Sequence, residues 1–381
     1  MFIIDILIYV FFAWAMSSLA KQSELNFPDD NHIDKYLKWY IVFFTFITAF
    51  RYCVGGDYFS YVRILEKGEI VKNRADQEIL WNYLVKLNHG LGLKAAFGFG
   101  VCAFLQIYFL VKACVNNKYL LVAIPIVMFG SRYYMDMTGA IRQVTAACMF
   151  VWFSKYIVER KPLQYFLWVI IASLFHHSAL MLAIFWFLPA EMSIASKRKL
   201  MWLIFIPCFI IGMTPQFASY VNHLQSLASF AGYDNYTTKL SEYLTGKRNE
   251  ALSFGPMMIS YLLIAVAIIY YGPELEEKYK DNIPLFSVWY NLSFIFACAY
   301  FLVANCGHIF IRPVQYLEFF QMIMAALLLY DLWEQGYDSI KYRNIALIFI
   351  IVIWTNISWD IIKNDGIASS VAYKTILFQN L

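Results

Sequence analysis

Long apolar runs recur along the whole chain and constrain its fold more than any other feature. A run of about 20 apolar residues can cross a membrane as an α-helix, because a helix satisfies its backbone hydrogen bonds internally. The 381 residues are 61% hydrophobic and only 15% charged, whereas a soluble domain carries about a quarter charged residues. The sequence therefore predicts a polytopic, all-α integral membrane protein.

We expect about twelve transmembrane helices within one transmembrane domain that covers residues 1–381. They are predicted at residues 2–20, 38–54, 94–114, 119–134, 139–158, 163–176, 178–190, 200–214, 255–272, 284–304, 314–333 and 342–359. The spans 163–176 and 178–190 are both short, and His176 and His177 lie where they meet. One tilted helix across 163–190 is the alternative.

Lysines and arginines in the short loops predict the orientation, because such loops are basic on the cytoplasmic side. Six short connections share one side if 163–190 forms two spans. They are residues 21–37, 112–118, 155–161, 197–199, 273–283 and 336–343. The long segments 55–93 and 215–254 are then outer loops, and both termini lie outside. Within the first of these loops, residues 79–91 are predicted to form an amphipathic helix.

Composition and motifs argue against several functional classes. The net charge of +4 is small for this length, and without a basic patch we expect no nucleic-acid partner. The seven cysteines lie mostly inside apolar runs and lack metal-binding spacing. Gly-x-Ser-x-Gly and His-Glu-x-x-His motifs are missing from the sequence, so serine hydrolysis and zinc proteolysis are unsupported. We expect neither a metal nor another cofactor.

Residues that are unusual for a membrane protein collect at the predicted outer ends of the spans. They are Arg51, Gly55, Gly56 and Asp57 after the second span, Arg142 and Gln143 in the fifth, His176 and His177 after the sixth, and His308 and Arg312 in the last outer loop. A single arginine or histidine at a helix end is usually an interface anchor or a packing residue. Several of them on one membrane side indicate a functional site.

The chemistry of these side chains predicts group transfer from a lipid-linked diphosphate. The planar guanidinium group of arginine suits phosphate and keeps its charge when desolvated. Histidine suits proton transfer near neutral pH. Arginines would neutralise the leaving diphosphate, and a base would deprotonate the acceptor hydroxyl.

Three segments resemble the EpsG/Wzy-type polysaccharide polymerases, bacterial membrane proteins that polymerise O-antigen, capsular and exopolysaccharide repeat units. Residues 50–61, Phe-Arg-Tyr-Cys-Val-Gly-Gly-Asp-Tyr-Phe-Ser-Tyr, resemble the family's Arg-x-x-x-Gly-x-Asp-Tyr-x-x-Tyr pattern. Arg142-Gln143 and the Phe-His-His-Ser-Ala segment 175–179 resemble its Arg-Gln and Phe-His-x-Ser/Thr-Ala segments. Arg312 with Tyr316 resembles its last outer-loop arginine and aromatic run. Gly56 departs from the family, since many relatives carry Thr or Ser there.

The resemblance implies a GT-C-like glycosyltransferase in the bacterial inner membrane, with its site facing the periplasm. The donor would be the growing glycan on undecaprenyl diphosphate, and the acceptor an incoming undecaprenyl-diphosphate-linked repeat unit. Membrane lipid, a chain-length regulator and a flippase of the same pathway would be further partners. The implied catalytic residues are His176, Asp57, Arg51, Arg142 and Arg312. The implied substrate-binding residues are Gly55, Gly56, Tyr58, Tyr61, Gln143, His177, His308, Tyr316, Tyr233 and Tyr236.

The identity of the base stays open between His176 and Asp57. Neighbours on a helix point about 100° apart, so only one of the two histidines can face the site, and the motif selects His176. Three other functions compete with polymerisation. They are ligation of the glycan to a lipid A core, flipping of lipid-linked sugars, and O-acyl transfer by a histidine. A flippase needs polar residues through the full membrane depth, whereas the charges here cluster on one side.

Overall fold

The computed structural model describes residues 2–28, 31–69, 78–214, 216–217, 255–306, 308–363 and 370–378. These residues are mostly helical, and none of them belongs to a β-strand. The prediction of an all-α polytopic membrane protein is therefore confirmed. Nearly all of the predicted outer loop 215–254, with Tyr233 and Tyr236, lies outside the described residues.

The helices follow one another through short connections. Before His176 they are α1 (Phe2–Asn26), α2 (Lys35–Ala49), α3 (Tyr58–Lys67), α4 (Ile79–Gly90), α5 (Ala95–Cys114), α6 (Lys118–Gly130), α7 (Tyr133–Gly139), α8 (Ile141–Phe153), α9 (Lys155–Val158) and α10 (Pro162–Phe175). A 3₁₀ helix over His177–Phe187 comes next. Among the described residues beyond it lie α11 (Arg198–Gly212), α12 (Pro256–Tyr279), α13 (Phe286–Val303), α14 (His308–Val314), α15 (Glu318–Asp338) and α16 (Ile340–Lys363).

Helix α15 lies at the centre of the bundle. Every residue from Glu318 to Leu329 is buried, and the helix packs against α6, α13 and α16. Helix α8 is the second interior helix, buried at every residue from Gln143 to Phe153, and it packs against α5 and α10. A helix that is apolar all round belongs in the interior. These two helices therefore fix the positions of the functional side chains at their N-terminal ends.

Six of the described helices are long and apolar enough to cross a membrane by themselves. Helices α6 and α7 form a pair bent by 74° that would make a seventh span. This bend corrects the unbroken span that the sequence predicts over residues 119–134. The segments α10 and His177–Phe187 are apolar but shorter, so the total of about twelve spans and the GT-C-like class stay predictions.

The chain reverses direction at His176, which overturns the alternative of one tilted helix across 163–190. The Tyr165 hydroxyl donates to the carbonyl oxygen of Leu182 at 2.6 Å, and the rings of Tyr165 and Trp186 lie 5.4 Å apart. In an unbroken helix, Tyr165 and Leu182 would be separated by about 25 Å. Helix α10 and the 3₁₀ helix are therefore antiparallel neighbours, as the distribution of basic loops requires.

Connections that the sequence assigns to the cytoplasm meet at one end of the bundle. Nζ of Lys118 lies 3.0 Å from Oδ2 of Asp34, and both side chains are nearly inaccessible. The amide of Asn117 donates to the carbonyl oxygen of Asn282 at 3.2 Å. The connections before α2, between α5 and α6, and before α13 therefore lie on one side.

We predict that this end of the bundle faces the cytoplasm. In a cysteine-free background, single cysteines in the basic loops should resist a membrane-impermeant thiol reagent added to the periplasm. These loops are residues 112–118, 155–161, 197–199, 273–283 and 336–343. Cysteines near residues 60, 230 and 308 should react, and permeabilised cells provide the control in which every position reacts. Labelling of 197–199 in intact cells would contradict the predicted orientation.

Candidate functional site

A buried carboxylate joins two of the predicted site residues. Glu78 immediately precedes α4, and its side chain is only 1% exposed. Its Oε1 atom lies 2.7 Å from Nδ1 of His176, and its Oε2 atom pairs with Nη1 of Arg142. The backbone N–H of His177 also reaches Oε1, at 3.4 Å. We call Glu78, Arg142 and His176 the Glu78 cluster, in which three distant parts of the chain converge.

Aromatic rings hold the arginine of this cluster in place. The Arg142 guanidinium lies 6.0 Å from the ring centre of Tyr61 and 5.6 Å from that of Trp81. A buried carboxylate is tolerated only when it is paired and hydrogen-bonded, and Arg142 meets that need for Glu78. Burial raises the pKa of Tyr61 although Arg142 opposes the shift, so its hydroxyl stays protonated at neutral pH.

The two neighbouring histidines have different environments. The His176 side chain is 13% exposed and contacts Glu78, whereas His177 is exposed. That only one of the two histidines faces a site stays a prediction, and the reason for their different directions is not helical spacing. The backbone of His176 is extended rather than helical, with φ −148° and ψ 113°, and successive side chains of an extended segment point in opposite directions.

The last predicted outer loop joins the same end of the bundle. The Gln143 side-chain amide donates to the backbone carbonyl oxygen of Arg312, which attaches α14 to α8. The Tyr316 hydroxyl lies 3.0 Å from Oγ of Ser178, beside the chain reversal. Arg312 itself is exposed. His308 begins α14, and its side chain lies outside the described part of the structure.

Arg51 makes its contacts with the backbone rather than with this cluster. Its side chain is 1% exposed, and its Nε, Nη1 and Nη2 atoms donate to the carbonyl oxygens of Val54, Thr48 and Thr138 at 3.1, 2.6 and 3.2 Å. Its guanidinium carbon lies 4.1 Å from the ring centre of Phe99. Direct binding of a phosphate by Arg51 does not fit this burial, and we assign it the role of holding the turn that follows α2.

The turn after α2 depends on the first of its two glycines. Gly55 has φ +94°, and a Cβ atom there would lie 2.6 Å from the carbonyl oxygen of Thr138. Gly56 is exposed, and a Cβ atom there would meet nothing within 4 Å, so a side chain fits at this position. Asp57 is exposed before α3, and no ion pair joins it to Arg51 among the described residues.

We predict that alanine destabilises the protein at Gly55 but not at Gly56. Gly55→Ala should destabilise the protein by about 1–3 kcal/mol, because the new side chain adopts a strained backbone conformation and meets the α7 backbone. Gly56→Ala should change stability by less than about 0.5 kcal/mol. Thermal unfolding in detergent measures both variants. Equal midpoints would contradict the role of Gly55 as the turn residue.

The predicted amphipathic helix exists as α4, but its buried face differs from the prediction. The sequence predicts a face of four leucines, Leu80, Leu84, Leu87 and Leu91. In the structure Leu91 is exposed, whereas Trp81 and Asn88 are buried. The Asn88 amide donates to the carbonyl oxygens of Leu65 and Leu93 at 3.1 and 2.9 Å. The two hydrogen bonds that its amide nitrogen donates therefore offset part of the cost of burying a polar residue at an apolar face.

Sequence reasoning missed Glu78 and treated it as the last residue of a polar loop. A signal was available, because an arginine at membrane depth is almost always paired with an acidic group or with backbone carbonyls. Arg142 needs such a partner. Glu78 is the acidic residue directly before an amphipathic helix that also carries Trp81.

Comparison with known proteins identifies one family. The model of the EpsG family matches residues 36–369, which is most of the chain and includes every residue of the Glu78 cluster. No curated protein and no solved structure matches the chain.

Proposed function

The chain belongs to the EpsG family of polysaccharide polymerase-like membrane proteins, and on that premise we propose that it extends a bacterial polysaccharide at the periplasmic face of the inner membrane. The donor is the growing glycan on undecaprenyl diphosphate. The acceptor is a hydroxyl of an incoming undecaprenyl-diphosphate-linked repeat unit. The observation that carries this proposal is the Glu78 cluster, in which one buried carboxylate holds a histidine and an arginine side by side.

The proposed reaction exchanges one bond at the anomeric carbon for another. The bond from this carbon to the diphosphate oxygen breaks, and its electron pair leaves with undecaprenyl diphosphate. The acceptor oxygen forms the new glycosidic bond and loses its proton. With Nδ1–H of His176 donating to Glu78, the lone pair on Nε2 is the group that takes this proton. Glu78 fixes the tautomer and orientation of the imidazole.

Two arginines neutralise the charge that develops on the leaving diphosphate in this proposal. Arg142 is held against aromatic rings and Glu78, so its remaining donors keep a fixed direction. Arg312 is exposed, and Gln143 ties its backbone to α8, next to Arg142. Guanidinium groups bind phosphate oxygens through paired hydrogen bonds. Their placement before the reaction is what stabilises the transition state.

We predict that the planar guanidinium matters at Arg142 and Arg312. Lysine at either position keeps the charge but loses the paired hydrogen bonds, and polymerisation should fall at least about tenfold. Arg198→Lys is the matched control, because Arg198 pairs with Glu274 at the predicted cytoplasmic end. Polymer ladders on gels from a deletion strain carrying each variant give the readout. Wild-type ladders from both site variants would refute the diphosphate clamp.

The material that accumulates in a deletion strain distinguishes a polymerase from the competing functions. Loss of a polymerase should leave single repeat units that still reach the cell surface. Loss of a ligase should leave full-length polymer that is not attached to its final acceptor, and loss of a flippase should leave repeat units on the cytoplasmic side. The proposed function predicts the first pattern in a deletion strain, with long chains restored by the wild-type gene. Either of the other two patterns would contradict it.

A further inference from the structure

A second polar cluster lies inside the bundle and has no role in the proposed chemistry. Nη1 of Arg132 lies 3.4 Å from Oδ2 of Asp360, and Nε of Arg132 lies 3.9 Å from Oδ1 of Asp136. Glu318, the first residue of the central helix α15, lies within electrostatic reach of Arg132 and Asp136. We call these four residues the Glu318 cluster.

One carboxylate oxygen of this cluster lacks a donor. Glu318 is only 3% exposed, and no described residue donates a hydrogen bond to its Oε1 atom. A buried polar atom without a partner is costly, and in a native protein it marks a place where a ligand or water completes the hydrogen bonding. The two ion pairs of Arg132 are also longer than a good hydrogen bond, so the guanidinium is not tightly held by either carboxylate.

Tyrosines surround the same cluster. The rings of Tyr261 and Tyr300 are 5.3 Å apart, and those of Tyr133 and Tyr261 are 6.4 Å apart. The Arg132 side chain is 41% exposed, and Tyr300 is half-buried. A ligand therefore has access to the rim of the cluster beside Arg132, with Asp136 partly exposed there and Glu318 enclosed behind it.

The Glu318 cluster is a neighbour of the Glu78 cluster at the same end of the bundle. Tyr316 contacts Ser178 beside the chain reversal, and Glu318 is two residues further along the chain. Helix α7 connects Arg132 to the start of α8, and its seven residues span about 10 Å. One end of the bundle thus presents an arginine-histidine site and, beside it, a site rich in carboxylates and tyrosines.

We propose that the Glu318 cluster binds a sugar ring of the acceptor repeat unit, an inference that rests on the proposed function. Sugar hydroxyls donate hydrogen bonds, and the carboxylates of Asp136 and Glu318 accept them. Arg132 donates to sugar oxygens, and the Tyr300 ring packs against an apolar sugar face. One guanidinium beside three carboxyl groups leaves no excess positive charge to bind a diphosphate. We therefore expect the anionic diphosphate to bind at the Glu78 cluster and the hydroxyl-rich sugar to bind at the Glu318 cluster.

The test uses the full-length protein in lipid nanodiscs and a lipid-free oligosaccharide repeat unit, released by mild acid from the lipid-linked pool of the source strain. Isothermal titration measures its affinity. We expect Glu318→Gln and Asp136→Asn to weaken binding at least about tenfold, because each replaces an acceptor oxygen with an amide nitrogen that can only donate. Both variants should also raise the KM for lipid-linked repeat units more than they lower kcat. Glu334→Gln, the same change near the other end of α15, is the matched control and should match the wild type.

Binding and polymerisation are read separately, so the two proposals can fail independently. Suppose that Glu318→Gln weakens oligosaccharide binding but the wild-type protein makes no polymer. That result would support the sugar site and contradict the proposed function. Polymer formation with unchanged oligosaccharide affinity in both variants would overturn the sugar site alone. A lower unfolding temperature without a change in affinity would also overturn it, because the cluster would then serve only the fold. If Glu318→Gln does not fold, Arg132→Gln at the accessible rim decides, and unchanged affinity there overturns the proposal.

Discussion

His176→Ala is expected to abolish chain extension while the protein still inserts and binds lipid-linked repeat units. The substitution removes the imidazole that takes the acceptor proton, and general-base catalysis contributes about 10²–10⁴-fold to a rate. The measurement is an in vitro assay with purified protein and purified lipid-linked repeat units, read as a ladder on a gel. His177→Ala is the matched control, and it should be much milder because His177 is exposed and its contact with Glu78 is through the backbone.

The assay includes a chelator, since the proposed mechanism uses no metal. A full ladder from His176→Ala would remove the histidine from the mechanism and make Asp57 the next candidate for the base. Loss of the wild-type ladder on adding chelator would instead indicate a bound metal ion.

Substitution of Glu78 should have the second large effect, and two substitutions separate its contributions. Glu78→Ala leaves Arg142 without its buried partner, which costs about 3–5 kcal/mol, so both stability and activity should be lost. Glu78→Gln keeps the shape and some hydrogen bonding. It should retain the fold but lower the rate about 10²-fold or more, because an amide no longer fixes the imidazole tautomer. Unfolding temperature and initial rate are measured for each variant.

The control for Glu78 is Glu69→Gln, an exposed glutamate of the same polar segment. It should leave both quantities unchanged. A double variant tests the network directly, because residues that act through one contact do not have additive effects. Glu78→Gln combined with His176→Ala should be no slower than His176→Ala alone. A Glu78→Gln protein with the wild-type rate would show that the carboxylate serves only the fold.

The sequence was sufficient to predict the fold class and to select two residues that the structure brings together. Apolar runs and basic loops predict an all-α membrane bundle, and the reversal at His176 agrees with that loop pattern. Arg142 and His176 were selected as unusual residues near the ends of predicted spans, and the structure brings them to a single carboxylate. Such residues are informative because their burial in a membrane protein is costly.

The groups that the arginines and His176 contact were harder to predict from the sequence. Residues 66–78 taken alone do not distinguish a buried glutamate from an exposed one, and the signal for Glu78 comes only from the need of Arg142 for an acidic partner. Arg51 shows the reverse problem. Its position in the motif suggests contact with a ligand, yet its donors reach backbone carbonyls. Which groups an arginine meets depends on tertiary packing that no local pattern records.

The Glu318 cluster was missed for the same reason. Asp136 and Glu318 each occur alone within apolar or aromatic sequence and are about 180 positions apart. They become a cluster only because α7 bends away from α6 and the N-terminus of α15 packs beside it. That bend falls at Gly130 and Ser131, and a Gly/Ser pair is one of the usual causes of a sharp helix kink, so a local signal for the bend existed even though none existed for the cluster.

The most direct test of the central claim counts both products of the reaction made by the purified protein. Undecaprenyl-diphosphate-linked repeat units are the only substrate, and released undecaprenyl diphosphate is compared with the new glycosidic bonds in the polymer. The account predicts one molecule of lipid diphosphate released for each bond formed, with both products absent from the His176→Ala reaction. Polymer that forms without release of lipid diphosphate, or release without polymer, would contradict transfer from a lipid diphosphate to an acceptor hydroxyl.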